Sequence, residues 1–312
     1  MKIVALAGGV GGAKLVDGLA QCLPPGDLTI IVNTADDFEH WGLNISPDLD
    51  TVCYTLAGLS NFETGWGRMN ESWEVFENII QLGGAGWFHI GDRDLATHLE
   101  RTRRLKSGLQ LSEITRDFCR TWGIQQTVLP MTDQYVATIV DTLELGEIPF
   151  QEYFVHQGCQ PTVKGFRFEG TQTARPVPGA LKAIIEADAV VFCPSNPWVS
   201  LDPILNIQGI RSALASKKVV AVSPIIGGQT IKGPAAKMFT ELGIEPSSYA
   251  VAAHYSEILS GFVLDIQDGQ WEEKIGSLGL KTMSINTIMK SRNDRQQLAQ
   301  DVLHFIRERL IA

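Results

Sequence analysis

Lys2-Ile3-Val4-Ala5-Leu6-Ala7-Gly8-Gly9-Val10-Gly11-Gly12-Ala13-Lys14-Leu15 is the stretch whose reading decides the fold. Its apolar run stops abruptly at glycines. A helix follows with Leu15, Leu19 and Cys22 on one face, and Pro24-Pro25-Gly26 ends it. Leu28 to Val32 is then a second apolar strand without polar alternation, as expected when a parallel sheet is covered on both faces. The same design returns at Ala189 to Cys193 and Val219 to Val222, each preceded by a helix-like stretch (178–187 and 203–216). The first and last quarters therefore predict one doubly wound, mostly parallel α/β sheet.

The middle of the chain has a different texture. Glu71 to Leu82, Asp92 to Lys106 and Leu111 to Trp122 read as helices, the last capped by Ser112, and Thr127 to Phe168 reads as short strands. We expect a mixed helical and strand lobe at about 60–170 inserted into a single domain spanning 1–312, because neither edge carries a linker. Asp294 to Leu310, apolar at helical spacing, is expected to be a packing helix.

Composition bounds the function. A chain of 312 residues should bury roughly 75% of its unfolded surface and fold without disulfides or structural metal. A net charge of −9 argues against a broad grip on nucleic acid, so an anionic ligand would need a local site. The five cysteines form no C-x-x-C pair, which argues against zinc and points to a reducing cytoplasm. No apolar run reaches the ~18 residues of a membrane span.

Five segments could carry chemistry. Gly8, Gly9, Gly11 and Gly12 with Lys14 lie between strand and helix, where backbone N–H groups can hold a phosphate; the alternative is a tight turn that needs glycine for geometry alone. Neither a Walker loop nor a dinucleotide fingerprint fits: Ala13 precedes Lys14, and Lys14 stands where the fingerprint wants a small residue. The stretch Asn33-Thr34-Ala35-Asp36-Asp37-Phe38-Glu39-His40, followed by Ser46-Pro47-Asp48-Leu49-Asp50-Thr51, leaves the carboxyl end of the second strand. Asp36, Asp37 and Asp50 suit Mg²⁺, which takes one or two carboxylates plus substrate phosphates, while Ser46 or Asp48 could cap the next helix. In His89-Ile90-Gly91-Asp92-Arg93-Asp94, Asp92 reads as an N-cap. Ser195 and Asn196, then Ser223, end two further buried strands and offer polar donors. His254 reads equally well as a satisfied core histidine, and no Ser-His-Asp or Cys-His arrangement stands out.

Together GGVGGAKL, NTADDFEHWGLNISPDLDT, GDRDLATHL, PSNP and SPIIGG, in this order across roughly residues 1–265, resemble the 2-phospho-L-lactate transferase family, which assembles the deazaflavin coenzyme F-420. The resemblance implies a Rossmann-like sheet, a homodimer and a Mg²⁺ requirement. It implies transfer of a phospholactate unit, or in many bacteria a phosphoenolpyruvate unit, from a guanosine-diphosphate-activated donor to the deazaflavin Fo, with GMP leaving. It also implies deazaflavin contacts at Asp50 and His89. On this reading the glycine loop and Lys14 hold phosphates, and Asp36, Asp37 or Asp50 hold Mg²⁺ or orient the attacking hydroxyl. Ser195, Asn196 and Ser223 donate to phosphate or guanine, and the aromatic stretch from Trp66 to Trp87 faces the deazaflavin. A second reading is a non-catalytic, nucleotide-sugar-binding regulator of cell-wall or carbon metabolism that shares the glycine loop. His40 to Leu56 and Gly-Trp-Gly-Arg at 65–68 favour the transferase. A nicotinamide-dependent dehydrogenase is disfavoured by Lys14 and Asn33.

Overall fold

The computed structural model describes residues 1–311. The opening folds as β1 (Ile3–Ala7), α1 (Gly9–Cys22) and β2 (Leu28–Val32). The hairpin β3 (Phe38–His40) and β4 (Leu43–Ile45) leads into α2 (Pro47–Leu56), α3 (Glu74–Gln81), α4 (Asp92–Lys106) and α5 (Leu111–Thr121), then β5 (Thr127–Pro130). Next come β6 (Ala137–Thr142), β7 (Gly146–Pro149) and β8 (Val163–Glu169), followed by α6 (Ala180–Glu186) and β9 (Ala189–Phe192). The chain continues through α7 (Asp202–Asn206), α8 (Ile210–Leu214), β10 (Lys218–Val222), and the short pair β11 (Ile225–Ile226) and β12 (Gln229–Thr230). It closes with α9 (Ala235–Glu241), α10 (Ser248–His254), β13 (Gly261–Asp265), α11 (Glu272–Gly276), β14 (Lys281–Ile285) and α12 (Arg292–Phe305).

The seven-stranded sheet runs β14-β13-β10-β9-β1-β2-β5, and every pairing in it is parallel. Alternation along β1 sends Val4 and Leu6 into one core and Ile3, Ala5 and Ala7 into the other. Both faces are therefore dry, which is why the strands carry no polar alternation. Strand order reverses between β1 and β9. Open α/β sheets leave a crevice at that point, beyond the carboxyl ends of the strands.

Several local expectations change. The inserted segment at 60–170 is two insertions, because β5 returns to the main sheet between the helices α3–α5 and the antiparallel sheet β7-β6-β8. The helix expected over 203–216 is broken by Gly209 in left-handed backbone (φ +86°), giving α7 and α8. Ser112 does not cap α5. Gln110 does, in a capping box with Glu113, and the Ser112 hydroxyl turns to Asp133 at 2.8 Å. Asp92 caps α3 instead of its own helix by accepting from the Glu74 and Val75 N–H groups, and Glu71 reciprocates at the Arg93 and Asp94 N–H groups of α4. All five cysteines are free thiols. Among the described residues no helix is long and apolar enough to cross a membrane.

Candidate active site

Gly8 follows β1 and Ser195 follows β9, so their loops meet across the crevice. Ser195 Oγ donates to the Gly8 carbonyl at 2.9 Å and accepts from the Gly8 N–H at 3.3 Å. A Cβ on Gly11 would overlap the Pro194 carbonyl oxygen, and one on Gly12 would lie 2.8 Å from Ser195 Oγ. Gly8 is hemmed in by Asp48, whose Oδ2 would stand 2.6 Å from an added Cβ. Three of the glycines thus serve close loop packing, and Gly9 supplies left-handed backbone at φ +64°. Asp48 Oδ1 accepts from the Gly9 N–H at 2.7 Å, so a protein carboxylate already occupies one free donor at the start of α1. The Val10 and Gly11 N–H groups have no acceptor among the described residues, and any anion site here narrows to them.

Behind this loop lies a buried acidic cluster. Asn33, fully buried at the end of β2, donates through Nδ2 to Asp48 Oδ2 at 3.0 Å and to the Val199 carbonyl at 3.1 Å. Asp48 therefore braces α1 and β2 and does not cap α2. Burial pushes its carboxyl up to about 6, against the pull of Asn33 and the Gly9 N–H. Ser46 does not cap α2 through its side chain either: its hydroxyl donates to Asp37 Oδ2 at 2.6 Å. Burial, reinforced by Asp48 and Asp37, holds Asp36 well above the usual carboxylate range, and burial holds Asp37 there too. One oxygen of each, Asp36 Oδ1 and Asp37 Oδ1, is buried without a hydrogen-bond partner.

Asp50 looks the other way, toward α4. It forms an ion pair with the buried Arg101 guanidinium, whose Nη1 lies 3.2 Å from His98 Nδ1. Tyr54 donates to Asp94 at 2.7 Å beside them. Burial raises the Asp50 carboxyl and Arg101 opposes it; Asp50 Oδ2 makes no hydrogen bond and faces His98, whose Nδ1 lies 3.7 Å away. Helix α4 is inside out, burying Asp94, Thr97, His98, Arg101 and Thr102 while leaving Leu99 at the surface. No apolar periodicity or metal-ligand spacing in the sequence marks this group. Its signal was the polar i, i+4, i+7 spacing of Asp94, His98 and Arg101, which puts three charge-bearing residues on one face of a helix.

Asp36, Asp37 and Asp50 do not converge as one metal-ligand set. Among the described residues, the group of three or more His, Asp, Glu or Cys side chains whose ligand atoms all lie within 4.8 Å of one another is Asp50, Asp94 and His98. Arg101 already supplies positive charge there. The orphaned oxygens of Asp36 and Asp37 fit a hard cation better, because Mg²⁺ needs only one or two carboxylates when phosphates complete its shell.

His40 joins this cluster to an aromatic wall. Its buried ring lies 5.0 Å from Trp87 and 5.7 Å from Phe88, and burial together with the neighbouring His98 depresses its pKa. His89 is on the exposed side of the wall, 4.8 Å from the Phe76 ring and 6.1 Å from Trp73. Asp50 is thus inside the polar cluster and His89 among the aromatics.

The family model for 2-phospho-L-lactate transferase CofD matches residues 3–310, beyond the span on which the motifs lay. The chain belongs to the 2-phospho-L-lactate transferase family. It is 41% identical over 99% of both chains to a phosphoenolpyruvate transferase of Streptomyces griseus and 45% identical, over 86% of this chain and 87% of the relative, to one of Thermobifida fusca. It is 38% identical to a 2-phospho-L-lactate transferase of Methanosarcina acetivorans, over 96% of this chain and 98% of the relative. A crystal structure of a UPF0052-family protein from Bacillus halodurans shares the fold, with a TM-score of 0.63, 16% identity and coverage of 97% of this chain and 98% of that one. This member of the transferase family is an enzyme.

The remaining expected donors have other partners in this transferase. Asn196 accepts from the Trp198 N–H and leans its Nδ2 on Met238 Sδ, capping the turn Pro197–Leu201. Ser223 Oγ closes its own loop on the Ile225 carbonyl at 2.9 Å and meets Ser248. Lys14 Nζ donates to the Met289 carbonyl at 2.9 Å, on the side of α1 facing α12. His254, half-buried, pairs with Asp202 at 2.9 Å.

Proposed function

We propose that this enzyme moves a phosphoenolpyruvate or phospholactate unit from a guanosine-diphosphate-activated donor to the hydroxyl of the deazaflavin Fo, releasing GMP, as a homodimer in the cytoplasm. The observation that carries the reading is the pair of orphaned, buried carboxylate oxygens on Asp36 and Asp37, in the same acidic cluster as Asp48, which accepts from the Gly9 N–H at the start of α1. Phosphoryl transfer needs charge neutralisation and in-line positioning more than covalent help, and this edge of the sheet offers both. The Val10 and Gly11 N–H groups hold a donor phosphate at the positive end of α1. Asp36 and Asp37 would hold Mg²⁺, and the ion would neutralise charge on the phosphoryl oxygens. Asp50, held by Arg101 and making no hydrogen bond through Oδ2, orients the attacking hydroxyl. The aromatic wall of Trp87, Phe88, Phe76 and His89 receives the planar deazaflavin. The bacterial relatives named phosphoenolpyruvate transferases match this chain slightly better than the archaeal phospholactate enzymes, which favours phosphoenolpyruvate as the transferred acid. The test is a mass-spectrometric assay with Fo, Mg²⁺ and each guanylated acid in turn. Product from the phosphoenolpyruvyl donor supports the assignment, and no product from any donor refutes it.

A further inference from the structure

Gly65-Trp66-Gly67-Arg68, singled out by its sequence, takes no part in the chemistry proposed above. The segment ends a loop that is braced from within. Ser60 and Arg68 form an isolated antiparallel bridge, the Asn61 N–H donates to the Gly67 carbonyl at 3.1 Å, and Gly65 and Gly67 supply left-handed backbone at φ +78° and +68°. One side of the loop rests on α1. A Cβ on Gly65 would stand 3.0 Å from Val10 Cγ1, and Lys232 fastens the same side by donating to the Thr64 carbonyl at 2.6 Å. The other side delivers Arg68 to α2, where its guanidinium lies 5.5 Å from the centre of the Tyr54 ring, one helical turn beyond Asp50. Arg68 is half-buried and forms no ion pair among the described residues. Its Nε is buried without a partner, and its Nη1 reaches the Arg93 carbonyl at 3.5 Å, the outer limit of a hydrogen bond. The neighbouring carboxylates are committed elsewhere: Glu71 accepts from the Arg93 and Asp94 N–H groups, and Asp94 accepts from Tyr54. A planar fork of donors is left largely unspent.

Keeping a half-buried charge unpaired costs free energy that a carboxylate of the chain would relieve, and the chain carries 35 acidic residues. We propose that Arg68 binds the carboxylate of the transferred acid and so selects a donor that carries one. This rests on the guanylated-donor reading and deepens it. That reading gives the donor phosphate to the open N–H groups of α1 and the attacking hydroxyl to Asp50. The loop of Arg68 touches the first place through Gly65 and Val10, and it ends one helical turn from the second. In phosphoenolpyruvate and phospholactate alike, the carboxylate is attached to the carbon that bears the phosphate oxygen. A group that recognises it must therefore stand beside the reacting phosphorus. A guanidinium meets a carboxylate with two parallel N–H···O bonds, a geometry that a lysine ammonium does not reproduce. Arg68 thus serves the acid part of the donor, and GDP, which lacks the acid, gains nothing from it.

Calorimetric titration of the full chain, as wild type, Arg68→Gln and Arg68→Lys, tests the proposal with three ligands. They are the guanylated phosphoenolpyruvate donor, the matching vinyl diphosphate ester of guanosine, which has hydrogen in place of the carboxylate, and GDP. We expect wild type to bind the acid donor about tenfold or more tighter than the vinyl ester, Arg68→Gln to lose that preference, and Arg68→Lys to keep part of it. The vinyl ester and GDP should bind all three proteins alike, and Fo binding, read by its fluorescence, should be unchanged. The ratio separates recognition from support, because an arginine that only braces its loop weakens both esters equally when it is replaced. An unchanged preference in Arg68→Gln, or a wild type without preference, would overturn the carboxylate site and leave the guanylated donor standing. A wild type that binds none of the three guanosine compounds would overturn the donor reading and the site with it.

Discussion

Replacing Asp50 by asparagine tests whether the pair it forms with Arg101 holds the site together. Arg101 is 2% exposed and Asp50 is 6% exposed, so water cannot replace a lost partner. Breaking a buried ion pair from one side leaves an uncompensated charge and typically costs about 3–5 kcal/mol. Unfolding entropy near 2.1 cal/mol/K per residue amounts to roughly 0.65 kcal/mol/K for a chain this long. The expected fall in Tm is therefore about 5–8 °C. Differential scanning calorimetry of the metal-free protein near neutral pH reads it directly. The double variant Asp50→Asn/Arg101→Met should recover more than half of the loss, because the stranded charge is gone. Because the same carboxylate is assigned to the reacting hydroxyl, activity falls along with stability. A single variant melting within about 1 °C of wild type, or a double variant no better than the single, would refute the ion-pair argument.

Three further outcomes follow from the same geometry. Gly11→Ala should lower stability by about 1–3 kcal/mol with no ligand present, because its Cβ meets the rigid Pro194 carbonyl; an unchanged Tm would show that the loop packing is not the reason for glycine there. Chelator should abolish transfer and Mg²⁺ restore it, while far-UV circular dichroism stays constant throughout; full activity after exhaustive chelation would remove the ion from the mechanism. Asp48 has a folded pKa of about 6 against 3.8 for the free group, so the folded state holds the proton more tightly. Its contribution is fully present below about 3.8 and is lost as pH rises through about 6, on the order of 3 kcal/mol in the metal-free protein. Denaturant titrations across that window should show wild type losing stability relative to Asp48→Asn as pH rises, and parallel curves would contradict the buried-carboxylate assignment.

The main sheet and the segments around the site were readable from local pattern. Uninterrupted apolar runs such as Ile3–Ala7 and Ala189–Phe192 can only be strands covered on both faces, and glycines and prolines mark their ends. The crevice, the glycine loop and the acids after β2 followed, because parallel α/β sheets put loops of this kind at their carboxyl edge. What each side chain does there is a matter of long-range partners. Asp48 looked like a cap for α2 and instead serves Gly9 and Asn33, and Ser223 looked like a donor and instead closes its own loop. Asp50 finds its counter-ion 51 positions away on Arg101, and Lys232 reaches Thr64 across 168. Hydrophobic periodicity reports which face of an element is dry, since burial repeats with the element's own period. It carries no information about which two polar groups, hundreds of atoms apart along the chain, the assembled sheet will bring within hydrogen-bonding distance.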